Sequence, residues 1–229
     1  MRRITVLIIG CLVLNKVVGS ELTLTGMCKV KLEDFNSFLG TYESMPTGFA
    51  VSKDGSILLC DTNTADFRGV HSGGTVEGAC LAWNLSDGDH ALGYQPTEDE
   101  FTPGFFLLAI SNCTGQTIAR LDVSYDVVFY NNEDRSSYLQ LEYSSDGKTF
   151  TTIGSSHCTT PLEADIAPAW SNCCYLLHVV CSQAVSAGSC MWLRWYGDDN
   201  AGTGRRDEYG INNVTVTPRP VCGTVISVR

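Results

Sequence analysis

Ile118-Ala119-Arg120-Leu121-Asp122-Val123-Ser124-Tyr125-Asp126-Val127-Val128-Phe129 decides the fold of this chain. From Leu121 onward Leu121, Val123, Tyr125, Val127 and Phe129 alternate with Asp122, Ser124 and Asp126. A period of two places one set of side chains on each face of an extended strand, one face for a core and one for water.

The same pattern spreads outward. Leu139, Leu141 and Tyr143 fall on one face of Ser137 to Ser144, and Asp146-Gly147 then turns the chain tightly into Lys148 to Ile153, which reads as a β-hairpin. A second hairpin is expected at Val51 to Leu59 around Asp54-Gly55. Further strands are expected at Leu22 to Lys31, Gly78 to Trp83, Gly104 to Ser111, Tyr175 to Cys181, Met191 to Tyr196, Gly210 to Thr217 and Cys222 to Val228. Short strands, turns rich in Gly, Asn, Asp and Ser, and no long 3.6-residue period predict an all-β chain, an antiparallel β-sandwich or jelly roll. Leu32 to Leu39 and Pro161 to Trp170 could each hold a turn or two of helix.

The two ends read differently from this body. Met1-Arg2-Arg3, an apolar run from Ile4 to Leu14 and the small residues before Glu21 outline a secretory signal peptide, residues 1–20, and predict a secreted, extracellular chain. Residues 21–217 then form a single β-sandwich domain, and 218–229, opened by Pro218-Arg219-Pro220, form a C-terminal edge strand or arm, because proline cannot donate to a ladder. Loss of Arg2, Arg3 and Lys16 would take the cations from 15 to 12 against 25 acids, a net charge of −13. Such a surface repels nucleic acid and anionic lipid, and no later apolar run is long enough for a membrane span.

Cys28, Cys60, Cys80, Cys113, Cys158, Cys173, Cys174, Cys181, Cys190 and Cys222 remain after that cleavage. An even number in a secreted chain predicts a disulfide-stapled fold. Connectivity is open, with a local staple between Cys181 and Cys190 and a terminal clasp between Cys28 and Cys222 as first expectations, and different partners for the adjacent Cys173 and Cys174. Asn84, Asn112 and Asn213 each open an Asn-x-Ser/Thr sequon and are N-glycosylation candidates.

Several stretches recur in a familiar order: His90-Ala91-Leu92-Gly93, Asn112 to Ile118, Leu121 to Asp126, Glu142 to Gly147, Trp192-Leu193-Arg194-Trp195 and Gly210-Ile211-Asn212-Asn213-Val214. Over Gly78 to Thr217 the chain resembles jelly-roll modules of large bacterial secreted and surface-anchored proteins. That resemblance implies a non-catalytic extracellular sandwich. Two departures stand out. The modules carry few cysteines, and they commonly end in Ile-Asp-Asp where this chain has Ile211-Asn212-Asn213, so any metal role of those acids is in doubt.

Catalytic motifs are missing: there is no Gly-x-Ser-x-Gly, His-Glu-x-x-His or phosphate loop. Ala184 to Gly188 approaches a nucleophile elbow but lacks its first glycine, and His71, His90, His157 and His178 are scattered. Two kinds of site fit what is left. Trp192, Arg194 and Tyr196 alternate with Met191, Leu193 and Trp195, so one trio faces the core and the other could stack on a sugar ring, with packing under loops as the competing reading. Asp198, Asp199, Asp207 and Glu208 offer the hard oxygens that calcium takes, with solvated turn acids as the alternative; no other cofactor is expected.

The leading expectation is therefore a non-enzymatic extracellular structural glycoprotein. It would join other copies of itself into a fibre, coat or matrix through strand-edge contacts. A lectin-like carbohydrate-binding module with a glycan partner is the alternative.

Overall fold

The computed structural model describes residues 21–56, 64–76 and 78–220. In chain order the strands are β1 (Leu22–Leu24), β2 (Lys31–Glu33), β3 (Phe49–Ser52), β4 (Phe67–His71), β5 (Ala79–Ser86), β6 (Asp89–Gln95) and β7 (Gly104–Asn112). They continue as β8 (Ile118–Tyr130), β9 (Arg135–Ser144), β10 (Thr151–Thr152), β11 (Cys158–Thr159), β12 (Trp170–Val185), β13 (Cys190–Gly202) and β14 (Glu208–Pro220).

They form two sheets. Sheet A runs β1-β7-β13-β9-β10, with β3 also on β7 and β11 also on β9; sheet B runs β12-β8-β14-β6-β5-β4, with β2 also on β14. Most pairings are antiparallel, the exceptions being β1 on β7 and β4 on β5. The chain is thus an all-β two-sheet sandwich.

Alternation in β8 does what its sequence demands. Leu121, Val123, Tyr125 and Val127 are buried in the shared core, where they meet Phe106, Leu108 and Ile110 of β7, Leu139 and Leu141 of β9, and Leu193 and Trp195 of β13. Tyr125 of sheet B lies edge-on to Trp195 of sheet A at 5.5 Å, and Trp195 stacks on Phe49 at 6.2 Å. Burying each such side chain contributes roughly 1.5–3 kcal/mol, which ties the sheets face to face.

Several expectations need correction. Neither Leu32 to Leu39 nor Pro161 to Trp170 is helical; the helical turn among the described residues is a 3₁₀ turn at Tyr42–Ser44, with a capping box from Thr41. The first segment is diverted by local polar contacts, the Phe35 amide donating to Glu33 at 2.9 Å and the Asn36 amide to Asp34 at 3.2 Å. These compete with helical hydrogen bonds. The second segment is tethered instead to the ends of β8 and β9, through Asp165 N to Asn131 O and Ala164 N to Asp134 Oδ1, both at 3.0 Å.

β14 does not stop near Thr217 but continues to Pro220, paired with β8. Its prolines are tolerated because the Pro218 carbonyl accepts from the Cys28 amide at 3.0 Å. In an antiparallel strand a residue's nitrogen and carbonyl point to the same side, so the missing N–H of Pro218 faces away from β8 and removes no bond to it.

No disulfide joins two described cysteines. The expected Cys181–Cys190 staple does not form: Cys181 turns into the core from β12, while the Cys190 thiol, at the start of β13, donates to Glu21 Oε1 at 3.5 Å. The signal segment 1–20, Cys60, Cys222, the far part of the hairpin at Val51 to Leu59 and the arm beyond Pro220 lie outside the described residues.

Candidate functional site

β13 runs between β7 and β9, so its two faces have different fates. Met191, Leu193 and Trp195 are fully buried in the core. Trp192, Arg194 and Tyr196 turn to the outer face of sheet A and are half-buried, as the alternation predicts.

The register supplies their neighbours. Trp192 lies opposite Ala109 and Ser144, Arg194 opposite Leu107 and Glu142, and Tyr196 opposite Phe105 and Gln140. Ala50, Phe105 and Leu107 make a small apolar floor against which Phe150, Trp192 and Tyr196 pack. Over it lies the Arg194 guanidinium, 3.9 Å from the Phe150 ring centre, 5.2 Å from Phe105 and 5.3 Å from Tyr196. Its Nε donates to Glu142 Oε2 at 2.6 Å, while Gln140 and Thr152 donate to Glu142 Oε1 at 3.2 and 3.3 Å.

The aromatic row continues across β9. Tyr138 tilts against Tyr196 at 6.4 Å and stacks on His157 at 5.0 Å. Burial, with Asp198 near Tyr196 and Tyr196 near Tyr138, pushes both phenols above their ordinary value. Each keeps its proton at neutral pH and can donate a hydrogen bond. At the other end the 145–148 turn covers Trp192: a side chain at Gly147, whose φ is +70°, would meet the indole at 3.2 Å.

The site is thus a row of half-exposed rings crossed by a fixed, charged, hydrogen-bonding pair. Sequence reading found Trp192, Arg194 and Tyr196 and missed Tyr138, Gln140, Glu142, Phe150 and His157. The signal for three of these was available, since Leu139, Leu141 and Tyr143 facing inward obliges Tyr138, Gln140 and Glu142 to face outward.

Of the acidic candidates, Asp198 lies near Tyr196 and accepts from the Asp199 amide at 2.7 Å, and the other three are engaged elsewhere. Arg135 forks onto Asp199 at 2.8 and 3.0 Å and holds its carboxyl below the ordinary range. Asp207 is fully buried and accepts from the amides of Asn132 and Glu133 at 3.1 Å, while burial pushes it up to about 6. Glu208, equally buried, accepts from the Thr75 amide at 2.8 Å and is pushed up to about 7 by burial. Just before them in sequence, buried Arg206 donates to Ser137 and to the Phe101 carbonyl. Asp199, Asp207 and Glu208 therefore brace the loops at one end of the sandwich. Among the described residues no three His, Cys, Asp or Glu side chains are gathered as a metal ion needs.

Two of the histidines serve local structure. His178 Nδ1 meets Asp122 at 2.8 Å, and His90 Nδ1 meets the Phe38 carbonyl at 3.0 Å. The Ala184 to Gly188 stretch is the end of β12 and the turn into β13, closed by Ser189 N to Ser186 O at 3.1 Å.

The three sequons differ sharply. Asn213 is exposed at φ +50°, with Nδ2 on Asp126 at 2.9 Å, and Asn84 is half-buried in β5. Asn112 is 0 % exposed, and its Nδ2 donates to the carbonyls of Gln116 and Val185, both at 2.9 Å. A glycan on that nitrogen has no room in this fold, which removes Asn112 from the candidates.

No family model matches the chain, and no curated protein matches its sequence. Among solved structures the chain is similar to the K1 cleaved adhesin domain of Lys-gingipain from Porphyromonas gingivalis W83, at 9 % identity and a TM-score of 0.47, covering 82 % of this chain and 98 % of that one. A carbohydrate-binding module specific for non-crystalline cellulose is similar at 11 % identity and 0.41, over 89 % of this chain and 98 % of that one. A xylan-binding domain is similar at 14 % identity and 0.39, over 82 % and 96 %.

Proposed function

We propose that the chain is a non-catalytic, secreted carbohydrate-binding module of jelly-roll type, and that it binds a neutral glycan on the outer face of sheet A. The observation that carries this reading is the row Trp192, Tyr196 and Tyr138, half-exposed and crossed by the Arg194–Glu142 pair. Aromatic faces stack on the C–H faces of sugar rings, and fixed charged groups bond hydroxyls without needing a charged ligand. The excess of acids disfavours polyanionic glycans. A screen of immobilised neutral and acidic polysaccharides tests it: the reading requires retention on a neutral polymer that weakens in Tyr196→Ala, and retention equal in the variant, or on no polymer, would remove it.

A second reading, self-association into a fibre or coat, has its own support. Among the described residues β12 pairs with β8 alone, and its outward side chains Leu176 and Val180 are each 70 % exposed. A long edge strand with an apolar outer row can pair with a second copy. Sedimentation of the wild type beside Leu176→Lys/Val180→Lys decides it: concentration-dependent assembly lost in the variant supports the reading, and a monomer at all concentrations removes it.

A further inference from the structure

The two sheets meet at one side of the sandwich through two edge strands. β11 lies on β9 at the border of sheet A, and β12 is the border of sheet B. Tyr175 of β12 donates its hydroxyl to the His157 carbonyl at 3.2 Å, beside β11, and stacks on Tyr125 at 5.1 Å. Along β12 the alternation is plain: Leu177, Val179 and Cys181 are buried inward, while Leu176 and Val180 face water. Cys173 shares the inward parity at the mouth of the sandwich. Cys158, buried on β11, directs its thiol to the Cys173 thiol and the Tyr175 hydroxyl.

We propose that Cys158 and Cys173 close a disulfide that joins sheet A to sheet B at this edge. Competing cysteines nearby are occupied or point away. Cys174 has the outward parity, where its thiol meets the Asp126 carboxylate and accepts from Asn172 at 3.6 Å. Cys181, on the inward face further along β12, lies beside the Tyr143 hydroxyl. The pairing accounts for the vicinal Cys173-Cys174: one residue staples the sheets and its neighbour stays outside.

The oxidant is a small-molecule disulfide such as that of glutathione. Exposed Cys173 attacks first as its thiolate, forming a mixed disulfide and releasing one small thiol. Cys158 then attacks the Cys173 sulfur and releases the second, so two protein thiols and one disulfide become one protein disulfide and two small thiols. The order follows from environment. Burial pushes the Cys158 thiol up to about 12, which makes it a poor first nucleophile but leaves it placed for the intramolecular step.

Peptide mapping of the full chain, equilibrated with oxidised and reduced glutathione, alkylated and digested without reduction, tests the pairing. Cleavage at Glu163 or Asp165 separates the two cysteines. The proposal expects a Cys158–Cys173 linked peptide, 2 mass units below the sum of its free halves, retained in Cys174→Ser and lost in Cys173→Ser. A link that survives Cys173→Ser, or Cys158 recovered fully alkylated from the oxidised wild type, overturns it.

Discussion

Arg194 and Glu142 face each other across neighbouring strands of sheet A, joined at 2.6 Å, with side chains 16 % and 9 % exposed. The pair is fixed from all sides, by aromatic rings around the guanidinium and by Gln140 and Thr152 on the carboxylate. Such a pair contributes less through its own attraction than it would cost to break, because the group left behind stays largely desolvated.

Glu142→Ala is therefore expected to destabilise the chain by about 2 kcal/mol, with Arg194→Ala somewhat less because both partners of a lost buried bond matter unequally. Urea unfolding of the two single variants and the double variant measures it. A double variant no worse than the worse single one is the expected coupling.

The two faces of β13 should separate binding from folding. Trp195→Ala empties a fully buried site and should cost about 3–5 kcal/mol. Tyr196→Ala, half-buried on the outer face, should leave the cooperative melt intact and weaken glycan binding by about 3–10-fold, the equivalent of one aromatic contact. Melting curves beside affinity electrophoresis on each variant read the two effects apart.

The contrast within β13 shows how far sequence alone reaches. Strict alternation in β8 and β13 made both the sandwich and the inward and outward trios legible, because burial on one face of a strand is a local property of a period-two pattern. Asn112 was misread for the opposite reason. Its sequon is three residues long, but its burial depends on Val185, 73 positions away. The prolines of β14 and the polar turns after Glu33 were likewise decided by partners that the local pattern does not name, Cys28 for the first and side-chain acceptors for the second.

Asn112 gives a direct test of that lesson. Expression in a glycosylating cell should yield glycan at Asn213, and at Asn84 where β5 admits it, while peptides carrying Asn112 stay unmodified. Asn112→Ala should cost about 2 kcal/mol, since it takes the Nδ2 donor from the Val185 carbonyl in a buried bond. Glycopeptide mapping and thermal melts check both halves.

Stability should also depend on pH in an unusual direction. Asp207 at about 6 and Glu208 at about 7 lie above their unfolded values of 3.8 and 4.5, so their ionisation penalises the folded state. Stability should rise as pH falls from about 8 through 6, by roughly 1–3 kcal/mol for each group, and stop rising near 4 to 4.5. Asp199, held low by Arg135, acts in the other sense, with a contribution lost below about pH 4. Asp207→Asn keeps an acceptor for the Asn132 and Glu133 amides and should flatten the slope between about pH 8 and 5 in chemical denaturation.

Isothermal titration of the purified chain with the best-retained soluble polysaccharide, against a Trp192→Ala/Tyr196→Ala/Tyr138→Ala variant of matched fold, bears most directly on the outer face of sheet A as a glycan site. The account predicts saturable heat for the wild type and none for the variant. Equal heat from both, with the variant still folded, would contradict it.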